Sequence, residues 1–451
     1  MRRSVSFVDR LELQLKGNVF SQALCLGDVD NDGKSELVVG NVHGDLAVFK
    51  KGERTRPWRS CHNLGSIACV GVADLCQIGQ NVLVCVSAEG YCHIFYFQEK
   101  KEFEDLVNDM KPTCTQRIPA NIRVLLLDNI MSDGTCHLVV GYTDRVVRAY
   151  RWIKSESQSS SLSGSLVAVK KWNLEGQVGS LSLTDMPDGS RYLLVAQPGG
   201  NFVYLQVDYG ASTDSLDDSD GQATAKSKPI PMGHRRVSSN TSELDAVFAS
   251  SPHSSRPIGS SASAGISTEV LGLIKCKEEG LTRQQNLIAV STLDGSLQLL
   301  EGSKLLWELH VDHQLFSLAK LDMTNDGNEE VIACAWDGLT YIVDRHRNVV
   351  RYQFEENVAA FCAGNYCVEA HDVPCLVYAT FSGRIYVYYN ITLPRIVVSS
   401  LASVIEEELE KFPRLKKKID DEVGLSRRNL VSWCLYGRQI EGKKQGEETN
   451  K

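Results

Sequence analysis

At 451 residues the chain is long enough for about three average domains, or for one large closed β architecture. Its 43% hydrophobic and 23% charged residues are the balance of an ordinary soluble globular protein, and no run reaches the roughly 18 apolar residues of a membrane-spanning helix. A formal net charge of -8 argues against nucleic acid as the main partner, because phosphate neutralisation needs a basic face.

The chain opens Met1-Arg2-Arg3-Ser4 and passes into Val5, Phe7, Leu11 and Leu13 with polar residues between them. That alternation predicts a strand from Ser4 to Leu15 and lacks the continuous apolar stretch of a secretory leader. The 14 cysteines stand singly in apolar segments, as Cys25, Cys69, Cys85, Cys334 and Cys375 do, with no C-x-x-C and no zinc spacing. They read as reduced core thiols of a cytoplasmic protein. Sequons at Asn240 and Asn390 have meaning only on a secreted chain and are read as chance.

A repeat emerges when short apolar segments are aligned on their turns. The seven copies are ELVVGNVHGDLAVF from Glu36, NVLVCVSAEGYCHIF from Asn81, HLVVGYTDRVVRAY from His137, YLLVAQPGGNFVYL from Tyr192, NLIAVSTLDGSLQLL from Asn286, EVIACAWDGLTYIV from Glu330 and CLVYATFSGRIYVY from Cys375. Each is a hairpin: a β-branched strand, a turn and a second alternating strand. The turns carry Gly44, Gly90, Gly200, Gly295, Gly338 and Gly383, with Arg145 in the third copy, where positive φ favours glycine. Spacings of 46 residues from Gly44 to Gly90, 43 from Gly295 to Gly338 and 45 from Gly338 to Gly383 leave room for two more strands per unit. A strand precedes each hairpin, as at Gln22, Arg123 and Phe316, and the last hairpin has no outer strand after it.

The prediction is an all-β, seven-bladed β-propeller over 1–390, closed by the N-terminal strand, which completes the last blade. Closure removes sheet edges that would otherwise template aggregation. Two unrelated sandwiches would need no common period.

Between 208 and 267 the pattern stops, and the chain becomes Ser-rich with Pro229, Pro231, Pro252 and Pro257. So few aliphatic residues predict a disordered insert within blade 4. Inside it Arg235-Arg236-Val237-Ser238 matches a basophilic kinase site, making Ser238 a candidate phosphosite or an unused match. Beyond Asn390 the periodicity turns helical, with Leu401, Val404, Ile405, Leu409 and Phe412 on one side, so 391–451 is expected to be a helical extension with a disordered end. It packs on the propeller rim or docks on a partner.

Two loops between an inner strand and a hairpin are acidic. The first is Asp28-x-Asp30-x-Asp32-Gly33-x-x-Glu36 and the second Asp322-x-Thr324-x-Asp326-Gly327-x-x-Glu330. Oxygen side chains on alternate residues, a glycine and a closing carboxylate suit a hard cation such as Ca²⁺. An EF-hand is excluded, since its twelfth position would fall on Val39 or Ala333. Two readings stand open: a structural cation site, or Asx-type turns whose carboxylates bind backbone amides. Other blades keep fragments, at Asp74, at Asp128 with Asp133-Gly134, and at Asp185 with Asp188-Gly189.

The residues Leu26-Gly27, Asp28 to Glu36, Val38 to Asn41 and Gly44 to Phe49 together resemble the FG-GAP repeat of integrin α-subunit propellers. Across the whole chain, insert and tail included, the sequence resembles the FG-GAP-repeat propellers that are subunits of the KICSTOR scaffold. That resemblance implies a non-catalytic adaptor that restrains TOR kinase signalling at lysosomes when amino acids or glucose are limiting. It implies kaptin, a further KICSTOR subunit and the large seizure-threshold protein as partners, and a cytoplasmic protein recruited to the lysosomal surface. No cofactor is required on this reading beyond a candidate structural Ca²⁺. The competing class is a Ca²⁺-binding, integrin-like cell-surface propeller.

For an enzyme there is no G-x-S-x-G, H-E-x-x-H or P-loop, and His43 and His137 fall in hairpins. Aromatics that could meet a partner are Trp58, Trp152 and Trp336, each with blade packing as the plainer role.

Overall fold

The computed structural model describes residues 3–4, 8–50, 56–97, 109–155, 162–186, 189–207, 246–250, 265–276, 285–302, 304–368 and 371–393. These belong to one compact unit, Met1–Leu393. The expected helical extension, apart from Ile391 to Leu393, lies outside the described residues, as do Ser238 and most of the Ser-rich insert.

Hydrogen bonding sorts the strands into seven sheets, antiparallel except for one two-residue pairing in blade 6. Blade 1 contains Leu24–Gly27, Glu36–Gly40, Leu46–Phe49 and Arg59–Cys61. Blade 2 runs from Ile67–Ala73 to Cys114–Arg117, blade 3 from Ile122–Asp128 to Gly164–Asn173, and blade 4 from Leu181–Asp185 to Ala246–Ser250. Blade 5 runs from Thr268–Cys276 to Lys304–His310 and blade 6 from Leu315–Leu321 to Val349–Gln353. Blade 7 takes Val358–Cys367, Asp372–Thr380 and Arg384–Tyr389 from one end of the unit and Asp9–Gln14 from the other. Inner strands touch those of the blades on either side, and the inner strand of blade 7 touches that of blade 1, so the ring closes.

Burial explains why the hairpins are so legible. Each second strand lies between two neighbouring blades, and Glu36–Gly40, Val82–Ser87, His137–Tyr142 and Glu330–Ala335 are buried along their whole length. A strand covered on both faces reads as a continuous apolar run. The outer strand Gly164–Asn173 has one face open to solvent and alternates accordingly.

The N-terminal strand is shorter than expected and does more. Asp9–Gln14 pairs antiparallel with Arg384–Tyr389, setting Leu13 opposite Ile385. Upstream, Arg3–Ser4 pairs in parallel with Val349–Gln353, giving blade 6 a fifth strand. The segment read as wholly disordered also needs correction at one place. Ala246–Ser250 pairs with Asn201–Gln206 and is the outer strand of blade 4. Composition averaged over a Ser-rich stretch conceals the short apolar run AVFAS, which pairs with the open edge of Asn201–Gln206.

Each hairpin turn has positive φ at the residue picked out by the repeat: Gly44 at 87°, Gly90 at 92°, Gly200 at 78°, Gly295 at 91°, Gly338 at 87°, Gly383 at 78°, and Arg145 at 69°. In six of the blades the turn meets the chain next to the outer strand. Leu64, Ile118, Leu174, Val311 and Phe354 donate their amides to the carbonyls of Gly44, Gly90, Arg145, Gly295 and Gly338, and Leu15 donates to Gly383 in the same way.

Candidate functional site

Both acidic loops join an inner strand to the first hairpin strand, and their backbones close in the same way. The Gly33 amide donates to Asp28 Oδ2 at 2.9 Å, and the Gly327 amide to Asp322 Oδ2 at 2.8 Å. Glu36 Oε2 accepts from the Val29 amide and Glu330 Oε2 from the Met323 amide, each at 2.9 Å. Asx turns follow, with the Lys34 amide on Asp32 Oδ1 at 2.9 Å and the Asn328 amide on Asp326 Oδ1 at 2.8 Å. Blade 2 keeps only the first contact, from the Gly79 amide to Asp74 Oδ2 at 2.8 Å. These bonds cap a reversal of the chain, and carboxylates accept them more strongly than neutral groups.

The loops differ in what faces their remaining oxygens. In blade 1 the carboxylates of Asp28, Asp30 and Glu36 offer atoms within 4.8 Å of one another. Among the described residues Asp322, Asp326 and Glu330 are not gathered in this way. Hairpin register extends from Leu37 opposite Phe49 to Glu36 opposite Lys50. The Lys50 ammonium enters the acidic cluster, donating to Asp30 Oδ2, and to Asp32 Oδ2 at 2.7 Å, with Glu36 Oε1 at 3.6 Å. In blade 6 the same register brings Asp344 opposite Glu330, and Asp344 is occupied by the amide and carboxamide of Asn348, each at 2.7 Å. Thr324 Oγ1 is buried without a hydrogen-bond partner.

Burial pushes Glu36 up to about 7, the charges of Asp30 and Asp32 add to the rise, and the Val29 amide and Lys50 oppose it. Burial likewise pushes Glu330 up to about 7, helped by Asp326 and Asp322. Burial of the Lys50 ammonium pulls its pKa down, but hydrogen bonds and charge from Asp30, Asp32 and Glu36 outweigh that and hold it above the ordinary lysine value. Asp32 shows the mirror image, burial opposing and Lys50 winning, so its carboxyl lies below the usual range.

The fit of Ca²⁺ differs between the loops. In blade 1 the centre between the carboxylates holds an ammonium, and a divalent ion needing oxygens at about 2.3–2.6 Å cannot share it. In blade 6, among the described residues, no side-chain cation intervenes, but Thr324, Asp326 and Glu330 would have to draw together before they could hold a cation.

The loops also tie blades together, through residues that motif spacing passes over. The Asn31 carboxamide donates to the Asn81 carbonyl at 3.2 Å and accepts from the Asn81 amide at 2.6 Å, joining blade 1 to blade 2. Ser35 donates its amide and hydroxyl to the Asp372 carboxylate at 3.0 and 2.7 Å, joining blade 1 to blade 7. Lys50 had a signal in the sequence, since counting outward from the Gly44 turn pairs it with Glu36. The inter-blade partners had none, being about 50 and 337 residues apart.

The Glu330 environment makes a pH-dependent expectation. Unfolded, this carboxyl titrates near 4.5, and in the fold near 7. The folded state therefore retains a proton that the unfolded chain releases, so the stability it contributes is complete below about 4.5 and is lost as pH rises through about 7. Glu330→Gln keeps an oxygen for the Met323 amide and never ionises. In EDTA it is expected to exceed wild type by about 2 kcal/mol at pH 8, with the gap closing toward pH 5. Urea denaturation at the two pH values checks this, and a gap that does not change with pH would contradict it.

Against known proteins, the model of the integrin-alpha FG-GAP repeat-containing protein 2 family matches residues 51–393. The chain belongs to that family. The second acidic loop lies inside the matched span and the first lies before it. Among relatives of this FG-GAP family, the chain is similar to the KICSTOR complex protein ITFG2 of Mus musculus, 44% identical over 429 residues and covering 93% of each chain. It is also similar to the KICSTOR complex protein ITFG2 of Bos taurus, 42% identical over 416 residues, 90% of this chain and 75% of the relative. Among solved structures, BBS1N from its complex with ARL6DN superposes with a TM-score of 0.52 at 13% identity, over 87% of this chain and 98% of that one. At so low an identity the last likeness concerns the fold only.

Proposed function

We propose that this FG-GAP-family propeller is a non-catalytic scaffold subunit of a KICSTOR complex, binding kaptin and the other subunits and restraining TOR kinase signalling when amino acids or glucose are limiting. The observation carrying the proposal is the match to the mouse KICSTOR complex protein across 93% of both chains. In this reading the protein works in the cytoplasm and reaches the lysosomal surface through its complex. Among the described residues no helix is long and apolar enough to cross a membrane. Buried cysteines such as Cys69, Cys85, Cys334 and Cys375 are free thiols, which favours a scaffold inside the cell over an adhesion propeller.

A cleft of about 520 Å³ between the loops of blades 2 and 3 offers little to an enzyme reading. Its Asp74 oxygens accept the Ile78 and Gly79 amides, and burial pushes the Cys136 thiol up to about 12, too weakly acidic for a nucleophile.

One face of the ring has the anchors a protein partner needs. Trp336 is 43% exposed and Phe381 59%, in the hairpin turns of the adjacent blades 6 and 7, and Phe20 is 46% exposed on the connection into blade 1. Trp58 is half-buried and Trp152 buried, so of the three tryptophans considered from sequence only Trp336 is presented to solvent. Exposed aromatics in the turns of adjacent blades are the kind of residue that becomes a hot spot of an interface. Affinity purification of the tagged protein at endogenous level, read by mass spectrometry, is expected to recover KICSTOR subunits. If none is recovered reproducibly, the assignment fails. The double variant Trp336→Ala/Phe381→Ala is expected to lower that recovery at least about tenfold with an unchanged melting temperature. Full recovery would move the interface elsewhere.

A further inference from the structure

The acidic loop of blade 1 is built like a cation site, yet its centre already contains a charge. Asp30 and Asp32 each bond the Lys50 ammonium, and Glu36 Oε1 lies 3.6 Å from it. Glu36 is wholly buried, and its Oε1 and the Oδ1 of Asp28 have no hydrogen-bond donor. Such oxygens call for a cation close by, since buried carboxylates without compensation are strongly unfavourable. On its other side Lys50 lies 5.2 Å from the centroid of the Trp58 ring, which is 5.7 Å from that of Phe97. The ammonium is thus held between an aromatic face and three carboxylates, a position it cannot leave without losing both sets of contacts.

Blades 3 and 4 repeat the device with other residues. In blade 3 Arg151 stands opposite His137 in the hairpin, and its Nη2 reaches Asp133 Oδ2 at 3.4 Å. In blade 4 Arg191 forks onto Asp185, with Nε to Oδ1 at 2.7 Å and Nη2 to Oδ2 at 3.1 Å, and extends to the Asn129 carbonyl of blade 3 at 2.9 Å. A tethered cation from the hairpin strands therefore neutralises the acidic loop in three blades. Blade 6, with Asp344 at the register position of Lys50, has none there.

We propose that Lys50 takes the place of a divalent ion in the blade 1 loop, so that this blade, despite its acidic motif, is closed by a charge the chain carries itself. The loop is then independent of metal concentration, and its ties to blades 2 and 7 through Asn31 and Ser35 hold in calcium and in chelator alike. The inference goes beyond the scaffold assignment and does not depend on it.

The test uses the full chain and calcium itself. Thermal melts compare wild type, Lys50→Met and Asp30→Asn/Lys50→Met, each in EDTA and in calcium chloride at about 5 mM, above the range of weak protein sites. Lys50→Met keeps the aliphatic stem over Trp58 but leaves the carboxylates facing one another. In EDTA it is expected to melt roughly 3 °C below wild type. Calcium should restore most of that loss, and the double variant should show no such recovery. The blade 6 loop is the same in all three proteins, so any contribution it makes cancels. Equal melting of Lys50→Met and wild type in EDTA would overturn the proposal, as would a calcium shift in wild type as large as in Lys50→Met.

Should Lys50→Met not fold, the wild type alone still decides. Acylation of Lys50 by an N-hydroxysuccinimide ester, followed by peptide mass spectrometry, is expected to be much slower than that of the exposed Lys171 and indifferent to calcium. Acceleration at Lys50 on adding calcium would mean that a divalent ion displaces the ammonium, and the proposal would fall.

Discussion

Deleting residues 1–15 is expected to lower the melting temperature by roughly 10 °C or more, or to leave no soluble monomer, because the deletion opens the ring. The missing strand is the outer strand of blade 7, paired over six residues from Asp9 opposite Tyr389 to Gln14 opposite Arg384. Its Leu13 is 1% exposed and packs among Leu37, Val377, Ile385 and Val387. Leu15 closes the Gly383 turn with a 3.1 Å backbone bond. Losing these contacts leaves Arg384–Tyr389 as an unpaired edge, the arrangement most prone to aggregate. Differential scanning fluorimetry with size-exclusion chromatography reads the result, and wild-type melting would show that closure lies elsewhere. Leu13→Ala is the graded version, expected to cost about 3 kcal/mol while still folding.

The second large effect is a pair of opposite signs at equivalent turns. A Cβ on Gly295 would lie 1.9 Å from the Val311 carbonyl oxygen, and the residue sits at φ +91°. The same contact is needed for closure, since the Val311 amide bonds the Gly295 carbonyl at 2.9 Å. Gly295→Ala is therefore expected to lose about 3 kcal/mol, combining left-handed backbone strain with overpacking against a backbone that cannot retreat. Arg145 occupies the same turn in blade 3 with φ +69° and so already carries such strain. Its guanidinium recovers only an exposed bond to the Glu175 carbonyl at 3.1 Å. Arg145→Gly is expected to be neutral or to gain up to about 1 kcal/mol, the relief of strain set against the greater freedom of glycine in the unfolded chain. Chemical denaturation of the two variants side by side checks this, and shifts of the same sign would refute the common turn geometry.

Hairpins were legible because their determinants are local: two strands buried on both faces, a short turn, and a residue with positive φ, all within about fifteen positions. The outer strands were less so. Ala246–Ser250 is an apolar run too short to be told from a loop by its own pattern, and its partner Asn201–Gln206 lies about forty residues earlier. Arg3–Ser4 is two residues long and gains its register only from blade 6.

The acidic loops divide along the same line. Their spacing, with Asp28, Asp30, Asp32 and Glu36 in one and Asp322, Thr324, Asp326 and Glu330 in the other, is a local property and identifies the repeat. Which group faces each is not. That depends on the residue opposite Glu36 or Glu330 across the hairpin, Lys50 in one case and Asp344 in the other, and on how sheet twist aims it. Electrostatics acts through space between groups that register brings together, so two loops of nearly the same sequence acquire different chemistry. The amino-acid pattern alone suffices for the repeat, the ring closure and the family. The tethered ammonium, the seams between blades and the aromatic face at Trp336 and Phe381 exist only once the blades are assembled, because each joins residues that the chain keeps apart.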